Sequence, residues 1–299
     1  MKRRDFIRVA GMAGISAVAF NELHATARIS TTSVTGASAA ERPCFGLIPS
    51  NTGGEWFKNN PAVALKLIAE WGYKELEFGG NMGLKLSVPE LKKFLKDLGL
   101  KPLIGSTSMG NLKSNPEEVR SDIKKCLELE QEYIACYWPW TDDGNNKKLD
   151  DWKKVAEYLN KGGEICNKEG VKLIYHNHDI ELKLTEGQIP FDTLMKELDP
   201  KLVSIELDLY WITKGGQSAV EYIKKYPGRY PVYHVKDMNP ANNDFACVGS
   251  GNINFTEIFK LNKIAGVKHF IVEHDNPEDP KACVESSAKQ MIKQLKIES

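Results

Sequence analysis

Several short segments concentrate the side chains able to do chemistry. His176 and His178 flank Asn177, Glu206 and Asp208 flank Leu207, His234 and Lys236 flank Val235, Glu75 and Glu77 flank Leu76, and Glu273 precedes His274 and Asp275. In an extended strand alternate side chains leave the same face, so each spaced pair points one way. Imidazoles and carboxylates converging from several strands form a mixed nitrogen and oxygen donor set. Such a set suits manganese, zinc, cobalt or iron better than calcium. The expected ligands of a divalent metal ion are His176, Asp208, His234 and Glu273. Each assignment has a structural alternative: the histidines as rim residues bonded to backbone, Glu206 and Asp208 as partners of lysines, and His234 to Asp237 as a solvated strand end.

Those segments need elements that bring them together. From Pro43 onward, short β-rich runs alternate with amphipathic stretches at intervals of roughly 25–35 residues, the pattern of successive βα units on a parallel sheet. The strands are expected at 44–49, 74–79, 101–107, 133–137, 171–178, 202–208, 231–237 and 268–273. The helices are expected at 61–71, 88–98, 116–130, 150–168, 191–198, 218–226, 255–262 and 281–295, with Gly72, Gly99, Gly170 and Gly266 as stops before the next strand. Eight units without a low-complexity linker predict an α/β fold, a single (β/α)8 barrel over residues 41–299; a doubly wound open sheet is the alternative. Barrel sites sit at the carboxyl ends of strands, where these polar residues fall. Tyr137-Trp138-Pro139-Trp140 closes the fourth strand there, and Trp138, Trp140 and Trp211 could stack on the apolar face of a sugar ring.

Residues 1–40 read as an export signal. Lys2-Arg3-Arg4-Asp5-Phe6-Ile7 resembles a twin-arginine signal, an apolar run follows from Val9 to Phe20, and small residues at 25–27 or 37–40 could serve cleavage. The expected location is the periplasm. The apolar run is too short for a stable membrane span. The whole chain of 299 residues balances 40 basic against 40 acidic side chains. Taking away the five basic and two acidic residues of 1–40 leaves 35 and 38, a mildly acidic remainder that disfavours nucleic acid as a partner. Cys44, Cys126, Cys136, Cys166, Cys247 and Cys283 form no CxxC pair and read mostly as buried small hydrophobes. An oxidising compartment permits a disulfide that a domain of this size does not require.

Tyr175-His176-Asn177-His178-Asp179, Glu206 through Trp211, His234 through Asp237, Gly249-Ser250-Gly251 and Ile271-Val272-Glu273 together resemble the xylose isomerase-like TIM barrels, over about Cys44 to Leu295. That family includes sugar phosphate isomerases and epimerases, inosose dehydratase-like enzymes and repair endonucleases. In its epimerase branch the resemblance implies a cation held by Glu, Asp, His and Glu from the last four strands, with the two Glu residues moving the proton. Asp208, His234 and Glu273 match. His176 stands where the first Glu belongs, and Glu181 is a candidate replacement. The chemistry implied is proton abstraction next to a carbonyl, with the metal stabilising the resulting anion. Glu273 is the expected base, with Glu77, His178 or Lys236 as proton donor or relay. The expected activity is a metal-dependent sugar isomerase or epimerase on a sugar, keto-sugar or cyclitol. A keto-glycoside lyase or dehydratase is the first alternative, and a non-catalytic periplasmic carbohydrate-binding barrel the second. The expected partner is a small carbohydrate, and a homo-oligomer is compatible with the sequence.

Overall fold

The computed structural model describes residues 44–140 and 148–297. The export signal expected in residues 1–40 lies outside the described residues. Eight parallel strands close into a barrel: β1 (Gly46–Leu47), β2 (Glu75–Glu77), β3 (Lys101–Thr107), β4 (Tyr133–Cys136), β5 (Lys172–His176), β6 (Val203–Asp208), β7 (Val232–Val235) and β8 (His269–Val272). Closure decides against the open sheet, since β1 pairs with β8 through Gly46 and Ile271 and with β2 through Gly46 and Glu75. Gly46 is required at that seam. A Cβ there would lie 2.6 Å from Ile271 Cδ1 and 2.7 Å from the Glu75 carbonyl oxygen.

Alternation along the strands makes two apolar cores. Outward residues such as Leu173, Tyr175, Ile205, Leu207, Tyr233 and Val235 pack under the helices, whereas Ile104, Tyr133, Ala135, Ile174, Val232 and Ile271 fill the lumen. The lumen core is the floor on which the polar strand ends stand. At its amino-terminal side Glu75 accepts from His269 Nδ1 at 2.9 Å, so Glu75, although on the same strand as Glu77, belongs to the barrel's base.

All eight expected helices form, with start and stop signals that explain their bounds. Val88–Asp97 begins at a capping box in which Glu90 Oε2 accepts from the Ser87 amide and hydroxyl. Leu149–Glu169 and Asn262–Ala265 end at Gly170 and Gly266, at φ 93° and 77°, a left-handed conformation that costs glycine least. Additional short elements sit at the carboxyl ends of strands: the helices Pro49–Thr52, Met109–Ser114 and Leu209–Lys214, and a hairpin of Asp237–Met238 with Phe245–Ala246. These cover the mouth of the barrel. Among the described residues no helix is long and apolar enough to cross a membrane.

Cys247 and Cys283 form a disulfide that ties the segment after the hairpin to the last helix, Pro280–Ile297. Cys126, Cys136 and Cys166 are the expected buried thiols, while Cys44 is exposed.

Candidate active site and metal centre

The register of neighbouring strands collects the polar residues. Pairing of His176 with Glu206 and of Asp208 with His234 brings β5, β6 and β7 to one height, and β8 delivers Glu273 one residue beyond its end. His176, Asp208, His234 and Glu273 each offer one donor atom, and these atoms all lie within 4.8 Å of one another. All four side chains are buried.

Each imidazole turns one nitrogen toward this group and the other toward a buried carboxylate. His234 Nδ1 lies 2.9 Å from Glu273 Oε2, while its Nε2 lies 2.8 Å from Glu77 Oε2 and 3.2 Å from Glu206 Oε1. His176 Nε2 lies 3.9 Å from Asp208 Oδ2, and its Nδ1 lies 3.3 Å from Glu206 Oε2. A carboxylate behind a ligating histidine fixes ring orientation and raises basicity. Asp208 Oδ1 accepts the Trp211 amide at 2.7 Å and so caps the helix Leu209–Lys214, whereas its Oδ2 accepts no hydrogen bond.

Lys236 closes the group from the β7 side. Its Nζ is 2.7 Å from Glu273 Oε2, 2.9 Å from Asp275 Oδ2 and 3.5 Å from Asp208 Oδ2, and it lies over the rings of Trp211 and Phe245. The next residue anchors the chain that follows. The Asp237 carboxylate accepts the amides of Met238, Gly249, Gly251 and Ile253 at 2.8–3.1 Å. That arrangement gives the Gly249-Ser250-Gly251 turn its role, because a Cβ on Gly251 would lie 2.3 Å from Asp237 Oδ1. His234 to Asp237 is therefore a buried strand end, not a solvated one.

Burial and charge oppose one another here. Burial alone would lower the His234 pKa, but Glu206 and Glu77 outweigh it and hold the pKa well above the usual imidazole range. Burial, then the neighbouring His234, pushes His176 well down, leaving it neutral with a lone pair available. Burial would raise Glu273, yet the Lys236 ammonium and His234 keep it well below the carboxylate range. Burial would likewise lower Lys236, but Glu273, Asp208 and Asp275 keep it charged. Burial, with Glu77 adding to it, pushes Glu206 up to about 8.

The donor set fits a divalent cation. It contains two imidazoles and two carboxylates, one of them with an oxygen that has no hydrogen-bond partner, and carboxylates behind both rings. Beside it opens a chamber of about 250 Å3 lined by Asn51, Tyr137, Trp138, His176, His178, Lys236, Glu273 and Asp275, among others.

A sequence profile described as xylose isomerase-like TIM barrel matches residues 65–295. The chain belongs to this family. Relatives of the xylose isomerase-like barrel include an inosose dehydratase of Clostridium perfringens, 32% identical over 129 residues, which are 38% of this chain and 43% of the relative. The match thus spans less than half of that curated relative. A sugar phosphate isomerase/epimerase from Parabacteroides distasonis has the same fold, with TM-score 0.73 and 26% identity over 85% of this chain and 94% of the other. The IOLI protein, solved with a bound zinc atom, superposes with TM-score 0.64 at 19% identity, covering 85% and 96% of the two chains.

Against the family's pattern, the structure puts His176 in the fifth-strand position and takes Glu181 away from it. Glu181 Oε1 accepts from Tyr175 Oη at 2.7 Å and from the His178 amide at 2.9 Å, outside the lumen, so it does not replace the missing Glu. Glu77 is fully buried behind Tyr137, whose hydroxyl donates to Glu77 Oε1 at 2.6 Å and which itself lines the chamber. Of the tryptophans, Trp138 lines the chamber. Its ring stacks on those of His178 (3.8 Å, 21°) and Trp140 (5.5 Å, 11°), while Trp211 packs on Lys236, outside the chamber lining. Two further residues complete the site: Asn51, which no sequence pattern marks, donates from Nδ2 to Glu273 Oε1 at 2.8 Å, and Asp275, given no role above beyond its place at the strand end, shares Lys236. Asn51 lies in the four-residue helix Pro49–Thr52, too short for periodicity to mark it, and Asp275 lies two residues past Glu273.

Proposed function

We propose that this protein is a metal-dependent enzyme that removes the proton next to a carbonyl of a keto-sugar or cyclitol ketone and expels a β-oxygen substituent, as a dehydratase or glycoside lyase does. The observation that carries this reading is the contact between one carboxylate and one ammonium, Glu273 Oε2 and Lys236 Nζ at 2.7 Å, on the wall of the chamber. His176, Asp208, His234 and Glu273 would hold the cation, as the closeness of their donor atoms favours, and zinc in the IOLI protein supports a divalent metal in this fold. When bound, the cation supplies Lewis-acid stabilisation of negative charge on the substrate's carbonyl and adjacent hydroxyl oxygens.

Glu273, kept ionised by Lys236, accepts the α proton at a carboxylate oxygen. Lys236, kept charged by three carboxylates, donates a proton to the departing oxygen, with His178 facing the same chamber. Epimerisation needs a second proton carrier on the opposite substrate face. His176, one of the proposed metal ligands, stands where that carboxylate would be, which favours elimination. Likeness to a sugar phosphate isomerase/epimerase favours isomerisation as the second reading. We further propose an exported, oxidising setting, which the Cys247–Cys283 disulfide supports.

Incubating metal-loaded protein with keto-sugars and cyclitol ketones in D2O separates the readings. Elimination gives an unsaturated product and a released alcohol or water, while isomerisation gives deuterium in a saturated sugar. Neither signal, or signals unchanged by a chelator, would refute the proposal.

A further inference from the structure

A second cavity, of about 450 Å3, opens beside the catalytic chamber at the same end of the barrel. The two share Ser106, Tyr137 and Trp138 as a common wall. The outer one contains none of the proposed ligands or proton carriers. It is bounded by the segment from Ser106 to Asn111, by Asp122 and by Trp140. Trp138 and Trp140 are 47% and 39% exposed, a stacked indole pair left open to solvent at the rim. Large apolar side chains grouped at a cavity's edge mark binding grooves. The inner chamber, at about 250 Å3, falls below the range of about 300–1,000 Å3 typical of larger-ligand pockets and matches a single ring.

We infer that the outer cavity is a subsite for a second ring, so that the substrate is a two-ring glycoside whose reacting ring enters the inner chamber and whose aglycone or second sugar rests against Trp140. This rests on the proposed carbohydrate chemistry and extends it from sugars in general to glycosides. The wall is prearranged for it. Asp122 Oδ2 accepts from Thr107 Oγ1 and from Asn111 Nδ2, each at 3.0 Å, which ties the end of β3 and the start of the helix Met109–Ser114 at the cavity wall. Gly110, in that helix, has only Ser108 Oγ near its missing Cβ, at 3.7 Å, so a larger side chain there has room to enter the cavity.

The test compares affinities of 4-nitrophenyl and methyl pyranosides of gluco, galacto and manno configuration, titrated calorimetrically against the full-length metal-loaded protein, Trp140→Ala and Gly110→Phe. The expected result is about tenfold tighter binding of the matching 4-nitrophenyl glycoside than of its methyl counterpart, with the ratio falling to about one in both variants. A ratio near one in the unmodified protein, or a ratio the variants leave intact, overturns the subsite while leaving the D2O outcome to judge the chemistry. Binding of neither class overturns the carbohydrate reading and the subsite together.

Discussion

Glu206 Oε2 lies 3.3 Å from His176 Nδ1, and its other oxygen lies 3.2 Å from His234 Nε2, so one buried carboxylate stands behind both imidazoles. If these rings hold the cation, Glu206 sets the orientation of two ligands at once. Replacing it by alanine is expected to weaken metal affinity by roughly 10–100-fold while the protein remains folded. Competition with a chromophoric chelator reads the affinity, and an unchanged value removes Glu206 from this role.

Metal binding is expected to strengthen as pH rises. The His234 pKa is held well above the imidazole range by Glu206 and Glu77 against the effect of burial, so a proton must leave before that nitrogen can ligate. With one proton displaced, the apparent affinity climbs about tenfold per pH unit until the pH passes the raised pKa. In metal-free protein the sign is opposite. The charged His234 contributes stability that is fully present below the unfolded pKa and is lost as pH rises through the folded one. Calorimetric titration across pH checks the first statement and thermal unfolding of chelator-treated protein the second.

Lys236→Met is expected to lower turnover by about 100- to 10,000-fold, the usual contribution of a positioned proton carrier. It also removes the ammonium that does most to hold Glu273 down, leaving chiefly His234 against burial, so the Glu273 pKa moves up and the acidic limb of the pH–rate profile moves with it. A slower variant with an unmoved acidic limb would show that Lys236 does not control Glu273.

Glu181→Gln separates a structural carboxyl from a catalytic one. Burial pushes the Glu181 pKa up to about 8, so the folded state binds a proton that the unfolded state releases above about 4.5. Stability therefore falls as pH rises between those values. Glutamine keeps an oxygen for Tyr175 Oη and the His178 amide and cannot ionise. The variant is expected to unfold at higher temperature than the parent at pH 8–9, by roughly 2–4 °C per kcal/mol recovered, with turnover retained. Lost turnover would return Glu181 to the site.

The barrel was legible because its signals are local and repeat. Gly170 and Gly266 end helices just before strands, and the spaced pairs at His176, Glu206 and His234 carry strand alternation and chemistry in the same residues. The grouping of His176, Asp208, His234 and Glu273 followed from that alternation once the sheet closed. What could not be read depends on tertiary neighbours. Asn51 reaches Glu273 across 222 residues, and Cys247 finds Cys283 only because the last helix returns beside the hairpin. Trp138 looks like a free platform in the sequence, yet its ring stacks on those of His178 and Trp140. Glu75 and Glu77 share a strand face but not a height, so one serves the base of the barrel and the other the site.

The most direct measurement of the central claim is an anomalous difference map from crystals of the full-length protein loaded with zinc or manganese, recorded at the metal's absorption edge. The expected result is one dominant peak bonded to His176, Asp208, His234 and Glu273 at about 2.0–2.2 Å. A peak bonded to other residues, or full activity in protein whose map holds none, would contradict it.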